Sequence, residues 1–324
     1  MKQQFINAIK AGDSVEDVFV LQEKSLGRKK DGNAFLTVTL ADRTGRLRGV
    51  IWDNADQIAL TVAAAEFVRI RGSASEYQGK PQVVIQTMEC FPAADVSAAD
   101  FIPSTPRNTD AMFDRLVRIT DGIENPHLKR LLSAFWGDAD FVGRLKTAPA
   151  AKKMHHAYLG GLLEHTLSMT ILVDRLAGHY SGLDMDLLLT GAVLHDIGKI
   201  REFDYRYKID YSDEGRLLTH ILIGCQMIDE KIRGLEGFPP DLAVMLKHLV
   251  VSHHGSREFG SPEPPKTIEA VLLNHIDDMD AKVNGIREYM AAQAPSEAWT
   301  PYHNLLGRHF YRGKNQENQE EQES

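Results

Sequence analysis

GAVLHDIGKIREF, residues 191–203, decides how the chain reads. Its apolar lead-in, from Met185 to Leu194, has the length and spacing of a buried helix, and it ends on His195 and Asp196 side by side. Adjacent side chains on a helix point about 100° apart. His195 and Asp196 therefore serve one centre only if that centre lies in the wedge between them, where a metal ion fits. Lys199 follows close enough to place an ammonium beside it, with a solvated helix-end lysine as the bland alternative. Outward from this stretch the chain supplies further donors: His165 in GGLLEHTLSM, His220 in LLTHILIG, His253 and His254 in VSHHGS, and Asp277 in NHIDDMDAK.

A lone histidine such as His165, among Leu162, Leu163, Leu167 and Met169, is usually a satisfied core residue. Its recurrence with His195, Asp196 and Asp277 on other helical segments changes that. The order His, His-Asp, distant Asp resembles the HD superfamily of metal-dependent phosphohydrolases. The resemblance implies that His165, His195, Asp196 and Asp277 ligate a metal, with Lys199 as a phosphate-contacting residue. Enzymes of this kind with two metals carry extra histidines where His220, His253 and His254 stand, so the resemblance implies a binuclear centre bridged by Asp196. The alternative for one of that pair is contact with substrate phosphate. His155 and His156 match the family's entry loop, and with Arg257 they are candidates for phosphate contact or for support of the ligands. Asp278 and Asp280 read as helix surface or support. A DDxxD diphosphate motif lacks its usual partner here.

Imidazole and carboxylate donors with no thiolate argue against a structural zinc site and suit Mn²⁺, Co²⁺, Fe²⁺ or Mg²⁺ with open positions. Two such ions would clamp the oxygens of a phosphodiester and acidify a water. Asp196 and Lys199 are the candidate catalytic residues.

The frame is that of a globular protein. The chain has 324 residues, 43% hydrophobic and 25% charged, enough for two or three domains. No apolar run approaches the roughly 20 residues that span a bilayer. The N-terminus lacks a signal-peptide pattern, and Cys90 and Cys225 read as reduced, buried thiols. The expectation is a cytoplasmic protein with no membrane association. A net charge of −8 gives no global field for nucleic acid, so a polyanion site is local or depends on metal.

Residues 13–92 predict β structure. Val15, Val18 and Val20, then Phe35 to Leu40, Leu47 to Trp52, Phe67 to Gly72 and Pro81 to Ile85 alternate in strand fashion, with one helical piece from Asp53 to Ala64. Five strands with a helix between the third and fourth is the arrangement of an OB barrel. The segment resembles the OB modules of aminoacyl-tRNA synthetases. Such barrels stack bases on aromatics and track phosphates with cations. Candidates are Arg28, Lys29, Phe35, Arg46, Arg48, Trp52 and Tyr77, although Phe35 alternates with core positions and the Arg28–Lys30 run also reads as a solvated loop.

The organisation expected is a lead-in over 1–12, an OB domain over 13–92, a linker over 93–108, connecting helices over 109–150, an all-α HD bundle over 151–312 and a disordered tail over 313–324. The combination of OB module, HHAYLGGLLEHTLSM, HDIGK, SHHG and HIDDMDAK resembles the YhaM family of bacterial 3′→5′ exoribonucleases. That resemblance implies hydrolysis of single-stranded RNA, and of single-stranded DNA as a further substrate, to 5′-mononucleotides with Mn²⁺ or Co²⁺. It also implies a homo-oligomer, for which the sequence shows no assembly motif. The alternative is an HD phosphohydrolase of a small nucleotide, with the OB domain in regulation or assembly.

Overall fold

A computed structural model describes residues 2–29, 31–62, 66–152, 156–176, 178–291 and 298–313. The chain divides into two compact units, Met1–Ser104 with Asp204–Asp210, and Thr105–Phe203 with Tyr211–Ser324.

The first unit is a closed barrel of β1 (Ser14–Arg28), β2 (Ala34–Asp42), β3 (Gly45–Ile51), β4 (Phe67–Tyr77) and β5 (Lys80–Phe91), in the order β1-β2-β3-β5-β4. The β3–β5 pair is parallel and closes the barrel; its neighbours are antiparallel. Period-two alternation sends Phe19, Leu36, Val38, Leu40, Leu47, Ile70, Val83 and Ile85 inward, all buried. α1 (Ala55–Thr61) packs on one end through Ala55 and Ile58.

Two features of this unit were not foreseen. Phe35 has the opposite parity to Leu36 and lies half-buried on the outer face, its ring over Gly27 of β1, where a Cβ would come within 2.5 Å. Cys90 is exposed rather than buried: it lies two residues past Met88, the last barrel-core residue of β5, with its thiol against the Thr61 carbonyl at 3.2 Å. Cys225 is half-buried, and burial raises its thiol pKa to about 11.

The second unit is helical: α2 (Thr109–Thr120), α3 (Pro126–Trp136), α4 (Ala139–Thr147), α5 (Gly161–Leu176), α6 (Met185–Leu194), α7 (Lys199–Glu202), α8 (Asp213–Arg233), α9 (Pro240–Ser252) and α10 (Ile268–Ala291). Side-chain caps start five of them: Asn108, Asn125 (with Pro126 in the first turn), Asp138, Asp184 and Ser212. Leu187 to Leu194 of α6 are all buried, the signature of a helix apolar on every side, so this helix is the core around which α5, α9 and α10 pack. A short hairpin, β6 (Phe203–Asp204) and β7 (Asp210–Tyr211), separates α7 from α8.

Residues 314–324 of the expected tail lie outside the described residues, as do His155 and Lys30. Among the described residues no helix is long and apolar enough to cross a membrane.

Candidate metal centre

The end of α6 is where the site is built. Leu194 closes the helix, His195 caps it, and the turn through Asp196, Ile197 and Gly198 hands the chain to α7. Gly198 is required there by space: a Cβ would lie 2.0 Å from the His220 carbonyl oxygen. The missing side chain lets α7 and α8 approach closely enough for His220 to face Asp196.

Two sets of donors share Asp196. Its Oδ2 lies 3.6 Å from His165 Nε2 and 3.4 Å from His195 Nε2. Asp277 Oδ1, from α10, joins them at 3.3 Å from His165 Nε2 and 3.9 Å from His195 Nε2. The other oxygen, Oδ1, faces His220 Nε2 at 3.5 Å and His253 Nε2 at 3.6 Å, and His254 Nε2 is 3.2 Å from His220 Nε2. All seven ligand candidates thus fall into two groups, His165–His195–Asp277 and His220–His253–His254, with one carboxylate oxygen turned to each.

The imidazole orientations follow one rule. The Nδ1 atoms of His195, His253 and His254 lie against the carbonyl oxygens of Ala192, Val250 and Phe259 at 2.9, 2.6 and 2.7 Å. Those of His165 and His220 lie against the Asp280 and Glu202 carboxylates, each at 2.9 Å. A carbonyl or carboxylate only accepts, so each Nδ1 carries a proton and each Nε2 is turned to the site. Metal-ligating histidines are held in this way.

The donors fit divalent ions. His165 and His195 bring Nε2 atoms within 3.2 Å of each other, as do His220 and His254. Nε2 atoms this close, each on a ring whose Nδ1 is held by an acceptor, have the spacing of donors that share a cation. Asp196 Oδ1 and His253 Nε2 are buried and have no hydrogen-bond partner, an arrangement that is costly without a ligand. With ligand bonds near 2.1 Å, neighbouring donors around an ion are roughly 3.0–3.4 Å apart, close to the spacings observed.

Electrostatics point the same way. Burial would raise the pKa of Asp196, but the Lys199 ammonium, 2.6 Å from Oδ2, and the nearby histidines hold it well below the usual carboxylate range. Burial would likewise raise Asp277, and the hydrogen bond from His165 and the proximity of His195 depress it. His165 is opposed by burial yet pushed up to about 9 by Asp277, Asp280 and Asp196. Burial and its histidine neighbours push His253 down.

The supporting residues are the part that motif reading reached least. Asp280, one of the two readings left open for it, is buried on α10, takes His165 Nδ1–H and the Ser168 hydroxyl, and lies 3.7 Å from His156 Nε2. His156 is buried with a positive φ of 57°, and its Nδ1 lies 2.7 Å from the Tyr158 hydroxyl. Glu202 was missed: it accepts both the backbone N–H and the Nδ1–H of His220, each at 2.9 Å. That backbone N–H is free because α8 is broken at Thr219, which sits at φ 60°, ψ 160°. Such a conformation is strained for a β-branched residue and clusters at functional sites. Asp278 is exposed and paired with Lys282. Arg257 is exposed, 3.4 Å from Glu263.

On the barrel, the candidate nucleic-acid residues form two groups on and beside β2 and β3. Lys29 Nζ stands 4.9 Å over the Trp52 ring, which lies 5.6 Å from Phe35. The Arg48 guanidinium is 4.9 Å over Tyr77. Arg46 is exposed on β3, and exposed Arg28 holds the Gly32 carbonyl at 3.3 Å.

Known proteins resemble both parts of the chain. Residues 162–282 match the HD domain family, and residues 20–91 match the OB-fold nucleic acid binding domain. The 3′-5′ exoribonuclease YhaM of Geobacillus sp. (strain WCH70) is 32% identical over 304 residues, covering 93% of this chain and 92% of that one. YhaM of Bacillus subtilis (strain 168) is 31% identical over 306 residues, covering 93% and 95%. The chain belongs to the YhaM family. Together with the HD domain, this membership makes it a nuclease of the metal-dependent phosphodiesterase type. Among solved structures, the second OB-fold domain of replication protein A from Methanococcus maripaludis aligns at 17% identity and a TM-score of 0.23, over 28% of this chain and 95% of that one.

Proposed function

We propose that this protein shortens single-stranded RNA from the 3′ end, with single-stranded DNA as a further substrate, and releases 5′-mononucleotides using two divalent ions, Mn²⁺ or Co²⁺. The observation that carries the reading is the pair of donor sets sharing Asp196. The direction and the RNA substrate come from the printed activity of the relatives.

His165, His195, Asp196 and Asp277 would hold one ion, and Asp196, His220, His253 and His254 the other. Ions bound there would supply Lewis acidity to phosphoryl oxygens and acidify a water at neutral pH. The chain's own part is to present the ligands ready-made. Five imidazoles are locked through Nδ1, and Asp280 and Glu202 orient two of them. Lys199 adds a buried ammonium whose pKa, opposed by burial, is raised by Asp196. On this reading it balances the Asp196 carboxylate and stabilises charge on the substrate phosphoryl group. His156 acts through Asp280, and exposed Arg257 is available to substrate phosphate. His155, outside the described residues, belongs with the same phosphate-contacting group. The barrel supplies a sequence-tolerant grip through Phe35, Trp52 and Tyr77, with Arg28, Lys29, Arg46 and Arg48 along the backbone of the strand.

The test is a time course on 5′-labelled single-stranded RNA, using metal-stripped protein with Mn²⁺ added back, on a denaturing gel. A ladder shortening from the 3′ end and absent with chelator is expected. Intact RNA alongside hydrolysis of a small phosphodiester would move the reading to a small-nucleotide phosphohydrolase.

A further inference from the structure

Residues 298–313 read AWTPYHNLLGRHFYRG. Four aromatics, two arginines and two histidines fall in this run, and no acid, although the chain as a whole carries a net charge of −8.

The run folds back on itself. Trp299 bridges Tyr311 and His303 bridges Arg308 in antiparallel fashion. Thr300, buried, is the pin: its N–H donates to the Phe310 carbonyl, its hydroxyl accepts from Phe310 N–H, and its carbonyl accepts from His309 Nδ1. Tyr289 of α10 ties the hairpin down, its hydroxyl 3.1 Å from the Pro301 carbonyl and its ring 4.5 Å from that of His303.

Trp299, Tyr302 and Tyr311 are each more than half exposed, and the Trp299 and Tyr311 rings stand side by side with centroids 4.9 Å apart. Exposed rings interleaved with cations, in a run free of carboxylates, are the chemistry that stacks bases and tolerates phosphates. The hairpin also hangs from the helix that carries Asp277. Twelve residues separate Asp277 from Tyr289, roughly 18 Å along the axis, which is on the order of five stacked nucleotides.

We infer that the hairpin 298–312 is a second single-strand binding surface, in which Trp299, Tyr302 and Tyr311 stack bases of the substrate and Arg308 meets its phosphates. The inference rests on the proposed action on single-stranded RNA.

The experiment uses the full chain and a fluorescein-labelled, phosphorothioate-linked oligoadenylate of about 16 nucleotides, which resists shortening. Anisotropy gives affinity and sedimentation gives assembly state. The double variant Trp299→Ala/Tyr311→Ala is expected to bind about tenfold or more weakly, while Trp299→Phe/Tyr311→Phe, which keeps the rings, retains affinity. Oligonucleotide quenching of tryptophan emission is expected to diminish in Trp299→Phe. Unchanged affinity in the alanine variant, while Trp52→Ala weakens binding, overturns the inference and leaves the proposed function standing. No binding by the unsubstituted protein overturns both. A change in sedimentation accompanying the loss makes the hairpin a contact between copies, and the inference falls.

Discussion

Asparagine in place of Asp196 keeps the side chain's shape but removes the charge that both donor sets share. Hydrolysis should fall by roughly a thousandfold or more, while affinity for single-stranded RNA stays within a few-fold. Rates and anisotropy on the same preparation check this; a parallel loss of binding and fold would make the metal structural. Glu202→Gln is subtler. It keeps an acceptor but weakens the hold on His220, so affinity for the ion at His220, His253 and His254 should drop about 10–100-fold. Calorimetric titration with Mn²⁺ would then resolve one tight and one weakened site, whereas two unchanged sites would reduce Glu202 to packing. The residue scale also yields a pH dependence. In the metal-free protein, against burial, Asp277, Asp280 and Asp196 push His165 up to about 9 from its ordinary 6.5. Its proton therefore stabilises the native state fully below 6.5, and that contribution is lost as pH rises through 9. His253 and His254, pushed down mainly by burial, contribute in the opposite sense, and their effect is complete above 6.5. Between these limits the metal-free protein should lose thermal stability with rising pH, and Mn²⁺ loading, which on the proposed reading displaces the His165 proton, should flatten that slope. Melting curves at about pH 7 and about pH 9 would decide it; equal slopes would mean that His165 is already neutral without metal.

Elements were legible to the extent that they are local. α3 and α6 begin and end where Pro126, the cap residues and the apolar spacing place them. The five strands and the helix after the third stand in the order their alternation predicts. What escaped reading is what other segments decide. α8 starts at Asp213, four residues before its apolar pattern at Leu217, because Ser212 caps it. Its break at Thr219 has no local cause: Thr-His is an ordinary dipeptide, and the kink exists because Glu202 holds the freed N–H and Asp196 faces the ring. Glu202 was invisible for the same reason, being separated from His220 by a hairpin that no motif spans. Gly198, by contrast, was on the page within HDIGK, but the reason for it, the His220 carbonyl, appears only when α7 meets α8. Gly198→Ala is accordingly expected to cost about 1–3 kcal/mol of stability and to lower Mn²⁺ occupancy at the His220 set, measured by thermal melts and elemental analysis. Retained stability with full occupancy of two ions would show that the α7–α8 approach does not position the ligand.

At the scale of the whole molecule, a net charge of −8 and the buried carboxylates of the candidate site set a problem that the two units meet in different ways. The HD unit neutralises its own carboxylates with Lys199, with histidines and, on the proposed reading, with divalent ions, so its attraction for a phosphodiester is local and metal-dependent. The barrel carries cations beside aromatic rings, Lys29 at Trp52 and Arg48 at Tyr77, so on the proposed reading its grip would combine stacking with screened charge and need no metal. The two contributions should therefore separate by experiment. Trp52→Ala/Tyr77→Ala should weaken binding of an oligoadenylate of about 16 nucleotides by roughly tenfold or more, and raising salt should weaken it further, with a slope set by the number of phosphates met. Hydrolysis of a dinucleotide, which on the proposed reading depends on the HD centre alone, should proceed at the unsubstituted rate and should respond to chelator instead of salt. Anisotropy titrations across salt concentrations and dinucleotide rates on the same variant make the comparison. If long and short substrates lose equally, the barrel is supporting the fold or the assembly of the enzyme rather than holding the strand.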